Sequence, residues 1–320
     1  MKNILILGSE GYLGSVLVPH LYKSNFKITG VDECFFGINN SRKHLKIVKK
    51  DYSKLSEIFL SKFDIVVDLV NISNDPASEL DKNFTKKVNF INKKLLIKKI
   101  KKSPNLKKYI YMSSCSVYGH NKFLINERSK PKPISLYSKL CLKFENYIKK
   151  NLKYKYSILR LGTLYGWSSR MRYDIAINKI IRDMIFNNKI EILGGQQLRF
   201  FCYNKFACNF IEKILRSKNS YLNNRVINVG VHNTNIINLT KQILNITKFK
   251  KASLFHEKFN IDNRSYAVSL RSVKKLYKEI NFKNYFRNSI KETFKSINKD
   301  KTPFDKKKVT LNIYKDYLQK

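Results

Sequence analysis

The sequence contains no apolar run approaching the roughly 20 residues that a bilayer span requires, and the short apolar stretch after Met1 and Lys2 is interrupted at Gly8. A membrane-spanning protein and a cleaved leader are therefore not expected, and the chain reads as soluble and unprocessed. Cysteine is scarce, at positions 34, 115, 141, 202 and 208 with no C-x-x-C pair. That pattern excludes a disulfide framework and cysteine-type zinc spacing, and predicts a reducing, cytoplasmic setting. The five His, at 20, 44, 120, 232 and 256, show no ligand spacing either, so no metal is expected. Acidic residues are few, 23 against 64 Lys plus Arg, which gives 64 − 23 = +41 over 320 residues. A nucleic-acid site gathers such charge into an Arg-rich patch. Here only 12 of the 64 basic residues are Arg and Lys is spread along the whole length. The charge reads as a solvated Lys surface, with neither nucleic acid nor membrane as a partner. The densest runs, 93–108 and 301–308, are where polyanion contact would be sought.

What is present is a core-forming chain, 43% hydrophobic and 13% aromatic, long enough for roughly two domains. Strands are expected over 3–7, 26–31, 46–48, 65–70, 109–113 and 156–161, alternating with helices over 12–24, 55–60, 82–102 and 136–150. Such alternation implies βαβ units, a parallel sheet and a doubly wound α/β fold. Later helices are expected over 175–186, 205–216, 239–246 and 272–280, with short strands between, and the last 20 residues read as a tail. No internal repeat is visible.

The first strand runs into Gly8-Ser9-Glu10-Gly11-Tyr12-Leu13-Gly14 and then a helix. Glycines at these spacings permit a tight turn, bring backbone N–H groups against a pyrophosphate, and let the helix pack close to the sheet. Asp32 follows at the end of the second strand, where a carboxylate accepts both ribose hydroxyls and repels a 2′-phosphate, so NAD is preferred over NADP. Asp51, after the third strand, either reaches the adenine amine or serves as an ordinary turn residue.

With this turn in place the chain resembles the extended short-chain dehydrogenase/reductase family, the NAD-dependent nucleotide-sugar epimerases and dehydratases. The resemblance runs through GSEGYLGSVL (8–17), NISNDPASEL (71–80), SSCSVYG (113–119), the Tyr137 region, RLGTLYG (160–166), SSRMRYD (168–174), LRFF (198–201) and DNRSYAVS (262–269). It implies a Rossmann-type NAD-binding domain over 1–165 and a smaller, interleaved region over 166–320 that mainly binds substrate, with some strands returning to the first domain. It adds Tyr52, Val70 and Asn71 to Gly8, Gly11, Tyr12, Leu13, Gly14, Asp32 and Asp51 as cofactor contacts. It also implies Ser114 and Tyr137 as the hydroxyl and the base of hydride-transfer chemistry, Tyr137 doubling as a cofactor contact. Arg199 and Arg264 become contacts to a nucleotide diphosphate, and Arg170, Arg172, Thr163, Asn178 and Tyr165 become candidates for the substrate pocket. A homodimer through the helices over 82–102 and 136–150 is common in such enzymes.

The resemblance breaks at one place. The family pairs its Tyr with a Lys four residues later, because a phenol of pKa near 10 needs a neighbouring cation to act near neutrality. In the register set by Glu145, eight residues after Tyr137, that position is Cys141. Lys139 and Lys143 lie roughly 200° and 240° around the helix from Tyr137 and face elsewhere. The SSCSVYG segment narrows the chemistry further. Dehydrating members carry Asp-Glu where this chain has Cys115-Ser116, and C3/C5 epimerases carry Cys where it has Ser116. C4 oxidation or reduction of a nucleotide sugar is what remains, and the resemblance alone implies a place in surface-polysaccharide synthesis. The alternative is a catalytically impaired NAD-binding protein that senses cofactor or supports a partner enzyme.

Overall fold

The computed structural model describes residues 2–38, 46–152, 155–217, 222–257 and 264–319. The chain begins with β1 (Asn3–Leu7), α1 (Gly14–Lys23), β2 (Lys27–Asp32), β3 (Lys46–Lys49), α2 (Glu57–Leu60) and β4 (Ile65–Asp68). It continues through α3 (Asp75–Leu80), α4 (Lys82–Lys86), α5 (Asn92–Ile100), β5 (Lys108–Ser114), β6 (His120–Ile125), α6 (Leu136–Asn151) and β7 (Lys155–Leu161). The second half supplies β8 (Thr163–Tyr165), α7 (Ala176–Phe186), β9 (Lys189–Leu193), β10 (Leu198–Tyr203), α8 (Asn204–Arg216), β11 (Arg225–Val229), β12 (His232–Asn235) and α9 (Ile236–Thr247). It closes with β13 (Ser253–Glu257), β14 (Ser265–Val268), α10 (Arg271–Leu276), α11 (Phe282–Ile297) and α12 (Thr310–Leu318).

Seven strands form one parallel sheet in the order β11-β7-β5-β4-β1-β2-β3. The chain moves from β1 outward to β3, then returns across β1 to β4 and builds the other side. The strand order reverses between β1 and β4, and such a reversal leaves a crevice beyond the carboxyl ends of those strands. Period-2 alternation fills both faces of the sheet. Ile4 and Ile6 pack into one hydrophobic cluster with Leu17 of α1 and Ile211 of α8, while Leu5 and Leu7 join Leu96 of α5 and Phe144 of α6 on the other face. β11 belongs to the second half of the chain yet completes this sheet beside β7. β8, β10 and β12 form a separate three-stranded sheet, and β9/β13 and β6/β14 form two-stranded ones. Among the described residues no helix is long and apolar enough to cross a membrane.

Three expectations are corrected. The helix expected over 82–102 is two helices joined by a π turn at Lys87–Ile91, and α3, a separate helix, precedes them. A π turn inserts a residue without changing composition, so hydrophobic spacing does not reveal it. The helix expected over 272–280 ends at Leu276, and the longer α11 begins beyond it, capped where the Asn281 side chain accepts from the Asn284 N–H. The last 20 residues are not a tail. They carry α12, whose Tyr314 is only 6% exposed and packs with Ile72 and Ala77.

Candidate active site

β1 delivers the chain to Gly8, whose φ of +77° is available to glycine at little cost. A Cβ at Gly14 would stand 2.2 Å from the Gly8 carbonyl oxygen, so the return of the turn against α1 requires glycine there too. α1 starts with no side-chain cap at Leu13; the Ser15 and Val16 N–H groups turn back to the Gly11 and Leu13 carbonyls, and the positive end of the helix dipole meets the crevice at Leu13 and Gly14. Gly8, Gly11, Tyr12, Leu13 and Gly14 all line a cavity of about 640 Å³ at this point. The Asp32 carboxylate is fixed at the end of β2 by the N–H groups of Glu10 (2.9 Å) and Cys34 (2.7 Å). Burial nevertheless pushes its pKa up. Asn71 also lines the cavity, donating to the Met112 carbonyl at 3.1 Å while its Oδ1 has no partner among the described residues. A turn that requires glycine at Gly8 and Gly14, a helix start without a side-chain cap and an orphaned amide oxygen fit a dinucleotide lying across the end of the sheet.

Asp32 itself is not among the residues lining the cavity, and other expected cofactor contacts also stand back from it. Asp51 caps the turn at Tyr52–Lys54 by accepting from the Ser53 N–H, so its carboxylate does the work of a turn residue. The Tyr52 hydroxyl donates to the Val88 carbonyl, and the Val70 N–H to Asp68. The crevice beside Asp32 is walled instead by Phe36 and by Tyr314 of α12.

Tyr137 is the second residue of α6, which is capped by the Ser135 hydroxyl. Ser114, at the end of β5, caps the following turn by accepting from the Ser116 N–H at 3.1 Å. Both line the cavity. Burial raises the Tyr137 phenol well above its ordinary pKa, Cys141 adds to the rise, and the Ser114 hydroxyl opposes it. The rotation of α6 is set two turns further on. Glu145 there receives the Arg160 guanidinium through both oxygens (2.9 and 2.6 Å) and the Ser113 hydroxyl at 2.5 Å, with neither charged side chain more than 3% exposed. Cys141 is fully buried between them, its thiol pushed up to about 12 by that burial. It does not line the cavity, and Lys139 and Lys143 project outward on the exposed side of α6.

A cation is nonetheless close by, and sequence reasoning missed it. Lys93 of α5 is wholly buried, with its Nζ 2.6 Å from Asp68 Oδ2, the oxygen that also accepts the Tyr109 hydroxyl. The ammonium lies 4.9 Å from the centre of the Tyr111 ring, and its charge acts on Cys141 against the effect of burial. The residue counted as the start of a surface Lys run is thus in the interior. The signal was its position: Asn89, Lys93, Leu96, Ile97 and Ile100 make one buried helical stripe.

Across the cavity stand Thr163, Arg170, Arg172, Arg199 and Arg264. Arg172 grips Asp174 through two nitrogens (3.1 and 2.7 Å) and, although burial works the other way, holds that carboxyl down at about 2. Arg264 pairs with Asp75, and Arg199 donates to the carbonyls of Leu198 and Arg264. Arg170 is 8% exposed, lies over the Phe36 ring, and leaves Nε and Nη1 without a partner among the described residues. Two candidates are corrected. Asn178 accepts from the Gly166 N–H and donates to the Tyr12 hydroxyl and the Arg172 carbonyl, so it is a buried link and does not line the cavity. Tyr165 is fully buried with its hydroxyl on Ser289. Asp262 and Asn263 of the 262–269 segment lie outside the described residues.

Comparison with known proteins agrees with this geometry. The sequence model of the NAD dependent epimerase/dehydratase family matches residues 4–230. Protein CapI of Staphylococcus aureus is 27% identical over 243 residues, 67% of this chain and 69% of that protein. The structure of a UDP-N-acetylglucosamine 4-epimerase from Methanobrevibacter ruminantium, in complex with UDP-N-acetylmuramic acid, is 25% identical and superposes with a TM-score of 0.78, covering 92% of this chain and 97% of that one. A UDP-glucuronic acid 4-epimerase from Bacillus cereus, in complex with UDP-glucuronic acid and NAD, superposes equally well at 0.78 over 92% of this chain and 98% of that one; at 23% identity it shows a common fold.

Proposed function

The chain belongs to the NAD-dependent epimerase/dehydratase family, and on that premise we propose that it is an oxidoreductase or epimerase working at C4 of a nucleotide-activated sugar. The observation that carries this reading is the meeting of Ser114 and Tyr137 on one cavity with the glycine turn on one wall and four Arg on another. NAD, when bound, supplies the hydride acceptor and donor. The chain's own residues do the rest. Tyr137 takes the proton of the sugar hydroxyl, Ser114 holds that hydroxyl in line, and the guanidinium groups of Arg199 and Arg264 receive the nucleotide diphosphate. Cys115, whose thiol is buried against the Arg160 carbonyl at 3.2 Å, and Ser116 offer no carboxylate pair for eliminating water, which favours C4 chemistry over dehydration. The setting is cytoplasmic, and two copies meet through α5 and α6, where Leu95 of α5 (43% exposed) and Ile91 of the preceding π turn (51%) stand among Lys side chains.

Cys141 favours a second reading, an NAD-binding protein without turnover that senses the cofactor or supports a partner enzyme. One experiment separates the two. The purified protein is examined by native mass spectrometry for retained dinucleotide and for dimers, then incubated with UDP-, GDP-, CDP- and dTDP-hexoses and followed by proton NMR. Inversion or oxidation at C4 of any of them supports the enzyme. Retained dinucleotide with no turnover across the panel supports the second reading.

A further inference from the structure

The family match ends at residue 230, and α12 begins far beyond it, yet α12 is packed onto the crevice. Its Tyr314 meets Phe36 edge-on at 5.7 Å and Phe35 at 6.3 Å, Tyr317 lies 4.4 Å from Phe35, and Ile72, Ala77, Phe84 and Val88 close the cluster beneath. These residues come from the loop after β2, the loop after β4, α3, α4 and the π turn that follows α4, the elements that surround the end of the crevice next to Asp32. The approach to α12 is itself anchored. The Lys308 ammonium bridges both oxygens of Asp300 (2.6 and 2.7 Å), Asp300 accepts the Tyr173 hydroxyl at 2.6 Å, and the Lys308 carbonyl accepts the Tyr173 N–H at 2.8 Å. At its first turn the Thr310 hydroxyl accepts from Arg170 Nη2 at 3.0 Å.

Arg170 is the second, independent observation. Its neighbour Arg172 grips the Asp174 carboxylate, which also accepts from the Asn74 amide at 2.8 Å, whereas Arg170 is buried against Phe36 with two nitrogens unpartnered among the described residues. A guanidinium withdrawn from water with two nitrogens unpartnered, sharing only the field of the Asp174 carboxylate that Arg172 grips, binds strongly an anion arriving within reach. Val309, Thr310, Leu311 and Tyr314 line the same cavity as Arg170 and the glycine turn. The anion that the turn is shaped to receive is the diphosphate of a dinucleotide.

We propose that the C-terminal segment is a working part of the dinucleotide site: α12 roofs the adenosine end of the crevice, and Thr310 holds Arg170 with its free nitrogens toward the cofactor's diphosphate. This rests on the assignment of NAD to the crevice. The cofactor then enters and leaves only when α12 lifts, so release is slow and set by the roof.

The test uses the full chain loaded with NADH and chased with excess NAD⁺, the release being read as the loss of bound-NADH fluorescence. Tyr314→Ser is expected to release NADH roughly tenfold faster, because its contacts to the Phe35 and Phe36 rings are lost. Tyr317→Ser, at a site already 42% exposed, tolerates the change in folding and is expected to give a smaller acceleration in the same direction. Thr310→Val is expected to weaken equilibrium NAD⁺ binding roughly fivefold, with no further loss when Arg170→Gln is added. Wild-type release rates from both Tyr variants, at a temperature where their circular dichroism matches the unaltered chain, overturn the roof. Unchanged NAD⁺ affinity in Thr310→Val, or full additivity with Arg170→Gln, overturns the role of Arg170. If the unaltered chain binds neither NAD⁺ nor NADH, the cofactor assignment fails and the roof fails with it, an outcome distinct from binding with unchanged release.

Discussion

The Lys93 ammonium and the Asp68 carboxylate meet 2.6 Å apart with neither side chain exposed to solvent. They join α5 to the end of β4 directly behind Cys141, the position where the resemblance calls for Lys. The cation is present in this neighbourhood, but on a different helix and with a carboxylate of its own. Cys141 and Lys93 therefore belong together: a thiol, neutral because burial keeps it so, is what the interior accepts beside an ammonium that is already there.

Removing one member of that pair strands the other. Lys93→Met is expected to destabilise the chain by about 3–5 kcal/mol, the usual result of leaving a buried charge unpaired. The double change Lys93→Met with Asp68→Asn is expected to cost less than either single change. Urea unfolding of the four proteins measures this, and simple additivity of the two single costs would show that the pair is not coupled.

Restoring the family residue should fail for the same reason. Cys141→Lys places a second ammonium against Lys93, and we expect it to lower stability by at least about 2 kcal/mol without gain of turnover. In a Lys93→Met background the same substitution leaves the new ammonium to face Asp68 alone, and stability should recover. Melting temperatures of the single and double variants decide it; equal losses in both backgrounds count against the contact.

Tyr137→Phe is expected to reduce any turnover by a factor of about 10²–10⁴ while leaving NAD⁺ affinity within a few fold, because only the proton acceptor is removed. In the unaltered chain the Tyr137 pKa is raised, so the basic form is scarce at neutrality and grows as pH rises. The rate of substrate oxidation should therefore still be climbing at the highest pH the fold tolerates. A plateau already reached at pH 7 would mean that a cation acts on the phenol more strongly than Cys141 and burial oppose it.

Asp174 gives a prediction in acid. Its folded pKa of about 2 lies below the roughly 3.9 of an unfolded Asp, so its contribution is complete above pH 4 and is lost as pH falls toward 2. The loss amounts to about 2 kcal/mol over that interval. Asp174→Asn should flatten that part of the pH–stability curve, measured by urea midpoints between pH 5 and 2.5.

The elements that position the glycine turn were legible because each carries its own period. β1 spans 3–7 as read, and apolar alternation with a glycine-punctuated turn is sufficient to place it. α12 was not legible, since its stripe is short and lies among Lys, and the surface it needs is supplied by Phe35 and Phe36 from the opposite end of the chain. Ser114 and Tyr137 could be placed by their motifs. Lys93 was hidden by its composition: a Lys in a Lys-rich run reads as solvated unless its place on the buried stripe is weighed against its charge. Asp68, at the end of the apolar run Ile65-Val66-Val67, was the matching clue.

α12 has a consequence for the order in which the molecule is made. The last strand of the seven-stranded sheet ends at Val229, about 80 residues before α12 begins. At roughly 5–20 residues per second of synthesis, the crevice can stand complete and uncovered for several seconds while the ribosome is still working. A dinucleotide met in that interval is enclosed as the chain is finished. A chain finished in its absence closes over an empty crevice, and filling it afterwards waits on the same lifting of α12 that sets release.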